Sequence, residues 1–556
     1  MKSHDVMVIG SGASGGIAAK VLTEQGLEVL LLEAGPSISG SDFLTHHMPY
    51  NFPFRGVGSP SVIRKEGWLA AREQTPFDGY YTKSSQHPYS TAAGKPYKWT
   101  GRSRILGGRT LHWGRQSFRL ADFDFKGASI DGYGVDWPLT YAELSPYYDK
   151  VEDYVGIQGF KEGLPQIPDG RFLPPFAYNC FEHVMRKAAR KKGWRMTALR
   201  TAQLSRPHRG RPACHYCGSC SSGCAVGAFF SSVAATIPDA AATGKLTLQT
   251  DAVVREVLVD QEGRAKGVAY VDRNSKEERE AFAKVVVIAA GTLESTRIML
   301  NSVSRNHPNG LANSSGVLGH YLTDHFTAGQ LTGVLPELVD SEILNDDGKS
   351  NGSYIPRFRN LGQRHPKFIR GYAIMVKGGS SIFPGHANLI DGFGTNYKRQ
   401  IKKLHPAIVR VYARGEPLQT FDSFVEIDKK VVDAWGIPTL RIHYQRTDND
   451  RDMLQDSFQQ LMELMHTAKA EILSADESLS SPGEIIHEMG TTRMGNDPKQ
   501  SVLNKYNQAH DVKNLFVVDG GSWPSSTCQN PTETIMALAW RASDYLIQQF
   551  RRDELL

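Results

Sequence analysis

The segment Val6-Met7-Val8-Ile9-Gly10-Ser11-Gly12-Ala13-Ser14-Gly15, answered by Val29-Leu30-Leu31-Leu32-Glu33, carries most of the architectural information. Each continuous apolar run reads as a strand buried on both faces. The pattern through Ala18, Val21 and Leu22 between them reads as a helix, so the unit is βαβ and the sheet parallel. Gly10, Gly12 and Gly15 have the spacing of the dinucleotide fingerprint. The first allows a tight turn, the second lets backbone approach a pyrophosphate, and the third lets helix and strand pack closely. The helix N-terminus then offers unpaired N–H groups to phosphate. Glu33, ending the second strand, stands where a ribose 2′-hydroxyl would donate to it. The motif alone does not separate NAD from FAD.

Outward from this unit, Val285–Ala290 ends at Gly291 and reads as another buried strand followed by a helix. Leu515–Val518 is a strand finishing at Asp519-Gly520, with a helix starting near Pro531. Arg104–Gly114 is a glycine-rich loop holding Gly107, Gly108 and His112. Residues 46–99 have no clean period, which suggests a lid or an assembly arm. Residues 330–480 mix strand-like and helical runs and read as a second domain.

Composition limits the rest. With 556 residues, 40% apolar and 22% charged, the chain is globular and long enough for several domain equivalents. A net charge of +6 is too small for a dedicated nucleic-acid binder. No apolar run reaches the ~20 residues of a membrane span, and Met1–Asp5 lacks the layout of a secretory signal, which alone suggests the cytoplasm. Four of six cysteines, Cys214, Cys217, Cys220 and Cys224, sit within eleven positions, so they read as a metal or cluster site rather than a disulfide framework. Cys180 and Cys528 read as small buried residues, and Trp68, Trp435 and Trp523 as core aromatics that could alternatively stack on a sugar. The basic stretch from Arg186 to Arg211 reads first as a solvated helix face, with the steering of an acidic partner as the other possibility.

Taken in order, Gly10–Gly15 with Glu33, the Gly107-Gly108 loop, Ala289-Ala290-Gly291, His487 in His-Glu-Met-Gly-Thr-Thr-Arg-Met-Gly, and Asp519-Gly520 before Asn530-Pro531-Thr532 resemble the glucose–methanol–choline (GMC) oxidoreductases, FAD enzymes that oxidise alcohols and sugars. The resemblance implies His487 as catalytic base and Asn530 as its partner. A neutral histidine suits proton abstraction from a hydroxyl while flavin N5 accepts hydride. It also implies cofactor contacts at Gly10, Gly12, Ser14, Gly15, Glu33, Arg104, Gly107, Gly108, Thr110, His112, Trp113, Val254, Ala290, Gly291, Asp519, Gly520, Pro531 and Thr532. His112 matches the pattern of pyranose 2-oxidase, where this histidine is bonded to FAD; packing beside the dimethylbenzene ring without a bond is the alternative. Asn530-Pro531-Thr532-Glu533 also reads as a helix start, with Asn at the N-cap, which competes with a catalytic role.

The cysteines point to the branch with the large subunits of gluconate 2-dehydrogenase, iron–sulfur glucose dehydrogenases and glucoside 3-dehydrogenases. Cys-x2-Cys-x2-Cys-x3-Cys resembles the ferredoxin run with Ala225 in place of Pro, so a [4Fe–4S] cluster is expected, [3Fe–4S] or structural zinc being the alternatives. The expected fold is α/β: a Rossmann-like FAD-binding domain (1–45, 100–150, 225–330, 480–556), interleaved with an α+β substrate-binding domain (151–213, 331–479) on a mainly antiparallel sheet, and a cluster loop at 214–224. The expected activity is dehydrogenation of a sugar or glycoside hydroxyl, electrons passing through the cluster to a cytochrome c-type subunit or other acceptor. A small helper subunit and export to the periplasm on a signal-bearing partner go with that branch. An oxygen-using FAD oxidase with zinc-bound cysteines, and a non-catalytic flavoprotein scaffold, are the competing readings.

Overall fold

The computed structural model describes residues 3–51, 59–66, 78–342, 352–378 and 385–555. Trp68 and part of the 46–99 segment lie outside the described residues.

The strand Ser3–Ile9 is central, because its apolar run is flanked on both sides by runs like itself. It pairs in parallel with Val29–Leu32, Val6 opposite Val29, and with Glu278–Ile288, Val6 opposite Val285. Leu246–Gln249 extends the sheet beyond Val29–Leu32, again in parallel. The strand Glu278–Ile288 starts earlier than its apolar run suggests, and its two halves behave differently. The polar half pairs antiparallel with Ala265–Asp272, while the buried Val286–Ile288 end pairs in parallel with Leu515–Val517. Continuous Val/Ile fits two covered faces, and the alternating half fits one solvated face. Helices Ala13–Glu24 and Thr532–Arg551 pack against each other on this layer, and Tyr141–Val155 packs on the latter.

A six-stranded sheet forms the second layer, in the order Glu471–Leu479, Phe326–Val334, Ile408–Gly415, Tyr372–Gly378, Ser353–Ile355, Thr197–Ala198, with every pairing antiparallel. Strand alternation gives it two distinct faces. Val409, Val411, Ala413, Ile374 and Val376 face a core with Met453, Leu461, Leu464 and Met465 of helix Asp448–Thr467. That helix is started by Thr447, whose side chain accepts from the Asp450 N–H. The opposite face holds Ala373, Met375, Tyr412 and Tyr354 in a cluster with Phe118 and Cys528.

Two expected domain limits fall inside elements. Position 330/331 lies within Phe326–Val334, and 151 lies within Tyr141–Val155, whose Val151, Tyr154 and Val155 are in the cofactor-domain core. In the third sheet, Ser90–Thr91 of the irregular segment pairs with Pro438–His443. Trp435 and Trp523 are buried, Trp523 against Trp137, and neither lines the cleft. Cys180, expected inside, is exposed at the first turn of helix Cys180–Lys191, while Cys528 is buried. The basic stretch is not uniformly solvated: Arg200 is fully buried and paired with Asp169. Among the described residues no helix is long and apolar enough to cross a membrane.

Candidate active site

A cleft of about 1710 Å³, counting its open mouth, runs from the Gly10–Gly15 turn to His487 and Asn530. All the cofactor contacts expected from sequence line it except Gly15 and Gly107. Those two act one step back. A Cβ on Gly15 would sit 1.9 Å from the Gly10 carbonyl oxygen, so only glycine lets the helix reach the strand. The Gly107 N–H donates to Ser11 Oγ at 2.9 Å, tying the second glycine loop to the first.

The near end fits FAD on its own geometry. Gly10 has φ +97°, and a Cβ there would meet the Ala289 carbonyl at 2.6 Å, whereas the Cβ direction of Gly12 is open space. Helix Ala13–Glu24 has no acid in its first turn and no side-chain cap, so its positive end faces the cleft unneutralised. Glu33 accepts from the Ser11 and Gly35 N–H groups at 3.2 and 3.0 Å and from the Ser11 hydroxyl. Burial pushes its carboxyl up, against those donors and nearby Arg104. Asp519 accepts from the Gly291 and Gly521 N–H groups at 3.1 and 3.0 Å, fixing two turns that line the cleft. His112 lies against Tyr81 and Tyr80, ring centroids 4.6 and 5.3 Å away, with Nε2 2.6 Å from Ser103 Oγ. The Trp113 indole N–H donates to the Phe230 carbonyl.

Sequence reasoning missed the ion pairs of this wall. Arg109 grips Glu488 bidentately at 2.6 and 3.0 Å, and Arg104 meets Glu294 at 2.9 Å. Burial would raise Glu294, but Arg104, Arg297 and Arg102 hold its carboxyl at about 2. Acids beside arginines in glycine loops were the available signal.

At the far end, His487 follows Ile486, a β-branched residue at φ +62°. Such a conformation is costly and is held here by Asp324, which accepts from the His487 and Ile485 N–H groups at 2.8 and 3.2 Å. Three groups surround the imidazole: Asn530 Nδ2 is 3.3 Å from Nε2, and His325 Nδ1 and Arg414 Nη1 are 2.9 and 3.1 Å from Nδ1. The proton positions follow from one carbonyl. His325 Nε2 contacts the Thr527 carbonyl, which only accepts, so Nε2 bears the hydrogen. Burial, with Arg414, keeps His325 neutral, pulled down to about 3, so its Nδ1 is bare. The His487 Nδ1–H therefore donates to it. His487 Nε2 is left unprotonated, its lone pair accepting from Asn530 Nδ2. Burial, Arg414, His325 and Arg109 all keep His487 uncharged.

Asn530 does not cap the helix. The helix runs Thr532–Arg551 with Pro531 at the N-cap and no side-chain cap bond, one position later than the sequence pattern suggests.

The cysteine loop departs from expectation. Cys214, Cys217, Cys220 and Cys224 are partly buried free thiols, and among the described residues no three metal-ligating side chains converge. Cys214 Sγ instead accepts from Gln203 Nε2 at 2.8 Å and the Tyr216 N–H at 3.3 Å. Burial pushes the Cys214 and Cys217 thiols up. The four-sulfur donor set suits iron, but its present arrangement does not form a site. The loop touches the cleft wall through Arg115, which lines the cleft and donates to the Cys220 carbonyl at 3.3 Å.

A glycine-turn cleft in a parallel sheet, ending at a neutral histidine beside an antiparallel sheet, defines a dinucleotide-dependent oxidoreductase. Residues 8–55 match the NAD(P)-binding Rossmann-like domain, and 102–327 and 420–539 match the N- and C-terminal parts of GMC oxidoreductase. The chain belongs to the GMC oxidoreductases, and FAD is the cofactor of that family. It is 29% identical to 2-methyl-1,2-propanediol dehydrogenase of Mycolicibacterium austroafricanum, over 98% of this chain and 95% of that one. It is 29% identical to the fructose dehydrogenase large subunit of Gluconobacter japonicus, over 99% of each chain. Pyridoxine 4-oxidase from Mesorbium loti has the same fold, with a TM-score of 0.66 at 16% identity over 98% of this chain and 99% of that one.

Proposed function

We propose that this chain is a dehydrogenase of sugar or glycoside hydroxyls, with His487 as base. The carrying observation is the bare Nε2 of a neutral His487 on the wall of the cleft, 3.3 Å from Asn530. FAD, when bound, supplies the hydride acceptor. His487 Nε2 takes the hydroxyl proton, and burial helps by keeping that nitrogen unprotonated. The Asn530 amide, free of capping duty, orients the substrate oxygen against Nε2. Asp324 and His325 hold the ring by its backbone and its Nδ1–H. Gly10–Gly15, the Ala13–Glu24 helix terminus, Glu33 and the Asp519–Gly520 turn would hold the cofactor. Anaerobic mixing with a panel of sugars tests the reading: a substrate should bleach the flavin absorbance, and bleaching should fail in His487→Ala.

Relatives carry both dehydrogenase and oxidase names, so the acceptor is a separate proposal. The spacing of Cys214, Cys217, Cys220 and Cys224 supports an iron–sulfur cluster, assembled with rearrangement of the loop. A cytochrome or other protein acceptor, a helper subunit and a periplasmic location are proposed with it. The names of fructose dehydrogenase large subunit and gluconate 2-dehydrogenase flavoprotein, which imply partner chains, support that reading. Iron and sulfide analysis of anaerobically purified protein checks it, and iron-free protein that turns over with oxygen removes it.

A further inference from the structure

Two glutamines flank Thr201, and the protein uses them differently. Gln116 and Gln158 each form an antiparallel bridge to it. Gln158 is a structural amide with both ends engaged. Its Nε2 donates to the Leu199 carbonyl at 2.9 Å and to Thr201 Oγ1 at 2.7 Å, and its Oε1 accepts from the Phe176 N–H at 3.1 Å. Gln116 is also buried, at 6% exposure, yet its Oε1 accepts from no donor among the described residues. Gln116 lines the cleft and Gln158 does not.

The neighbours of Gln116 place it toward the histidine end. Phe118, two residues on, packs in one cluster with Cys528, which is two residues before Asn530, so the two segments adjoin. A Cβ on Gly114 would lie 3.8 Å from Gln116 Nε2, so the carboxamide turns back over Gly114, which also lines the cleft. A buried carbonyl oxygen without a donor is costly unless a ligand brings one. That oxygen can only accept, so the ligand group must be an O–H or N–H. The hydroxyls of a sugar are donors of this kind.

We infer that Gln116 is a specificity-determining residue, its Oε1 accepting a hydrogen bond from a substrate hydroxyl other than the one His487 deprotonates. The cleft then favours polyhydroxylated substrates over monohydric alcohols of the same size, because without the second hydroxyl the carboxamide oxygen stays unpaired. The inference rests on the reading of His487 as the base of this cleft, and it adds a group that reads the rest of the substrate.

D-glucose and its 2-, 3-, 4- and 6-deoxy analogues are matched probes, each analogue lacking one donor. Their Kd values are measured by calorimetry on FAD-loaded His487→Ala protein, in which the flavin stays oxidised, with Gln116 intact, Gln116→Met or Gln116→Glu. With Gln116 intact, one analogue should bind at least about tenfold more weakly than glucose, the scale of a hydrogen bond whose buried partner is left unpaired. Gln116→Met should shrink that difference to within about twofold, and Gln116→Glu, which keeps an acceptor, should retain it. A structural glutamine would behave otherwise. In the wild-type background Gln116→Met should leave FAD content unchanged and the urea midpoint unchanged or raised, since its Oε1 has no protein bond to lose. The inference is overturned if glucose does not bind, or if no analogue's deficit depends on Gln116. It is equally overturned if Gln116→Met lowers the midpoint or sheds FAD, which would assign the carboxamide to the fold or to the cofactor. Flavin colour is read separately: bleaching in the His487→Ala background sinks the base reading and leaves the hydroxyl contact standing.

Discussion

The two ends of the cleft treat charge in opposite ways. At the glycine end, Arg104 is set against Glu294 before any ligand arrives. At the histidine end, Arg414 stands against His487 with no ion pair among the described residues, and the base itself is kept neutral. A housing for a resident cofactor is stable by itself only if its buried charges are already satisfied. A site that exchanges its ligand can leave a polar group for that ligand to complete, at some cost in stability while empty.

The largest effect expected from this division is at His487. Replacing it with Ala should slow flavin reduction by at least ~100-fold, the scale of a general base, with FAD content unchanged because the cofactor end is self-sufficient. Rapid-mixing absorbance measures the rate. A fall below tenfold, or loss of FAD, would join the two ends that the structure separates.

Breaking the neutralised end should instead cost stability. Glu294→Ala leaves Arg104 without its acid, while Arg297 keeps Asp433, and about 3 kcal/mol should be lost in urea titration. The carboxyl of Glu294 is held at about 2, below its ordinary 4.5. Its stabilisation is therefore complete above about pH 5 and is lost as pH falls through that range toward 2. Glu294→Gln should flatten the stability curve between those limits, and an unchanged slope would show that the pair is not the source.

The pH profile of catalysis separates the ends further. Because Arg414, His325 and burial keep His487 unprotonated, flavin reduction should stay level from about pH 8 down past 6.5, with no acid limb at the ordinary histidine value. Arg414→Gln removes one of those cations, so the limb should move upward toward 6.5. A wild-type limb already at 6.5 would contradict the neutral, buried base.

How far the chain could be read from sequence follows the same division. Gly10, Gly12, Gly15 and Glu33 were legible because each meets a local demand: a positive φ, a close approach, a strand end. Val285–Ile288 was legible as a buried strand, but its polar half from Glu278 was not, since alternation there competes with a turn reading. Arg414 and His325 were not legible, because their meaning depends on pairing between Phe326–Val334 and Ile408–Gly415, far apart in sequence. No local pattern tells a buried cation from a solvated one. The cysteine spacing was plain, yet spacing does not state how four side chains point, and in the folded loop Cys214 turns to Gln203.

The smallest effect is the most discriminating. Asn530 could have capped the last helix or served the base, and the two roles leave different signatures. Loss of an N-cap asparagine costs about 1 kcal/mol of stability. Here the side-chain amide donates to His487 Nε2, and the helix begins behind Pro531 with no side-chain cap. Asn530→Ala should therefore leave the urea midpoint within about 0.5 kcal/mol of wild type while slowing flavin reduction roughly tenfold, as expected for one lost orienting hydrogen bond. Asn530→Asp should do more harm than Ala, because a carboxylate beside Nε2 would favour the protonated ring and disable the lone pair that accepts the proton. If the alanine variant loses stability and keeps its rate, the asparagine belongs to the helix after all, and the base works without a partner.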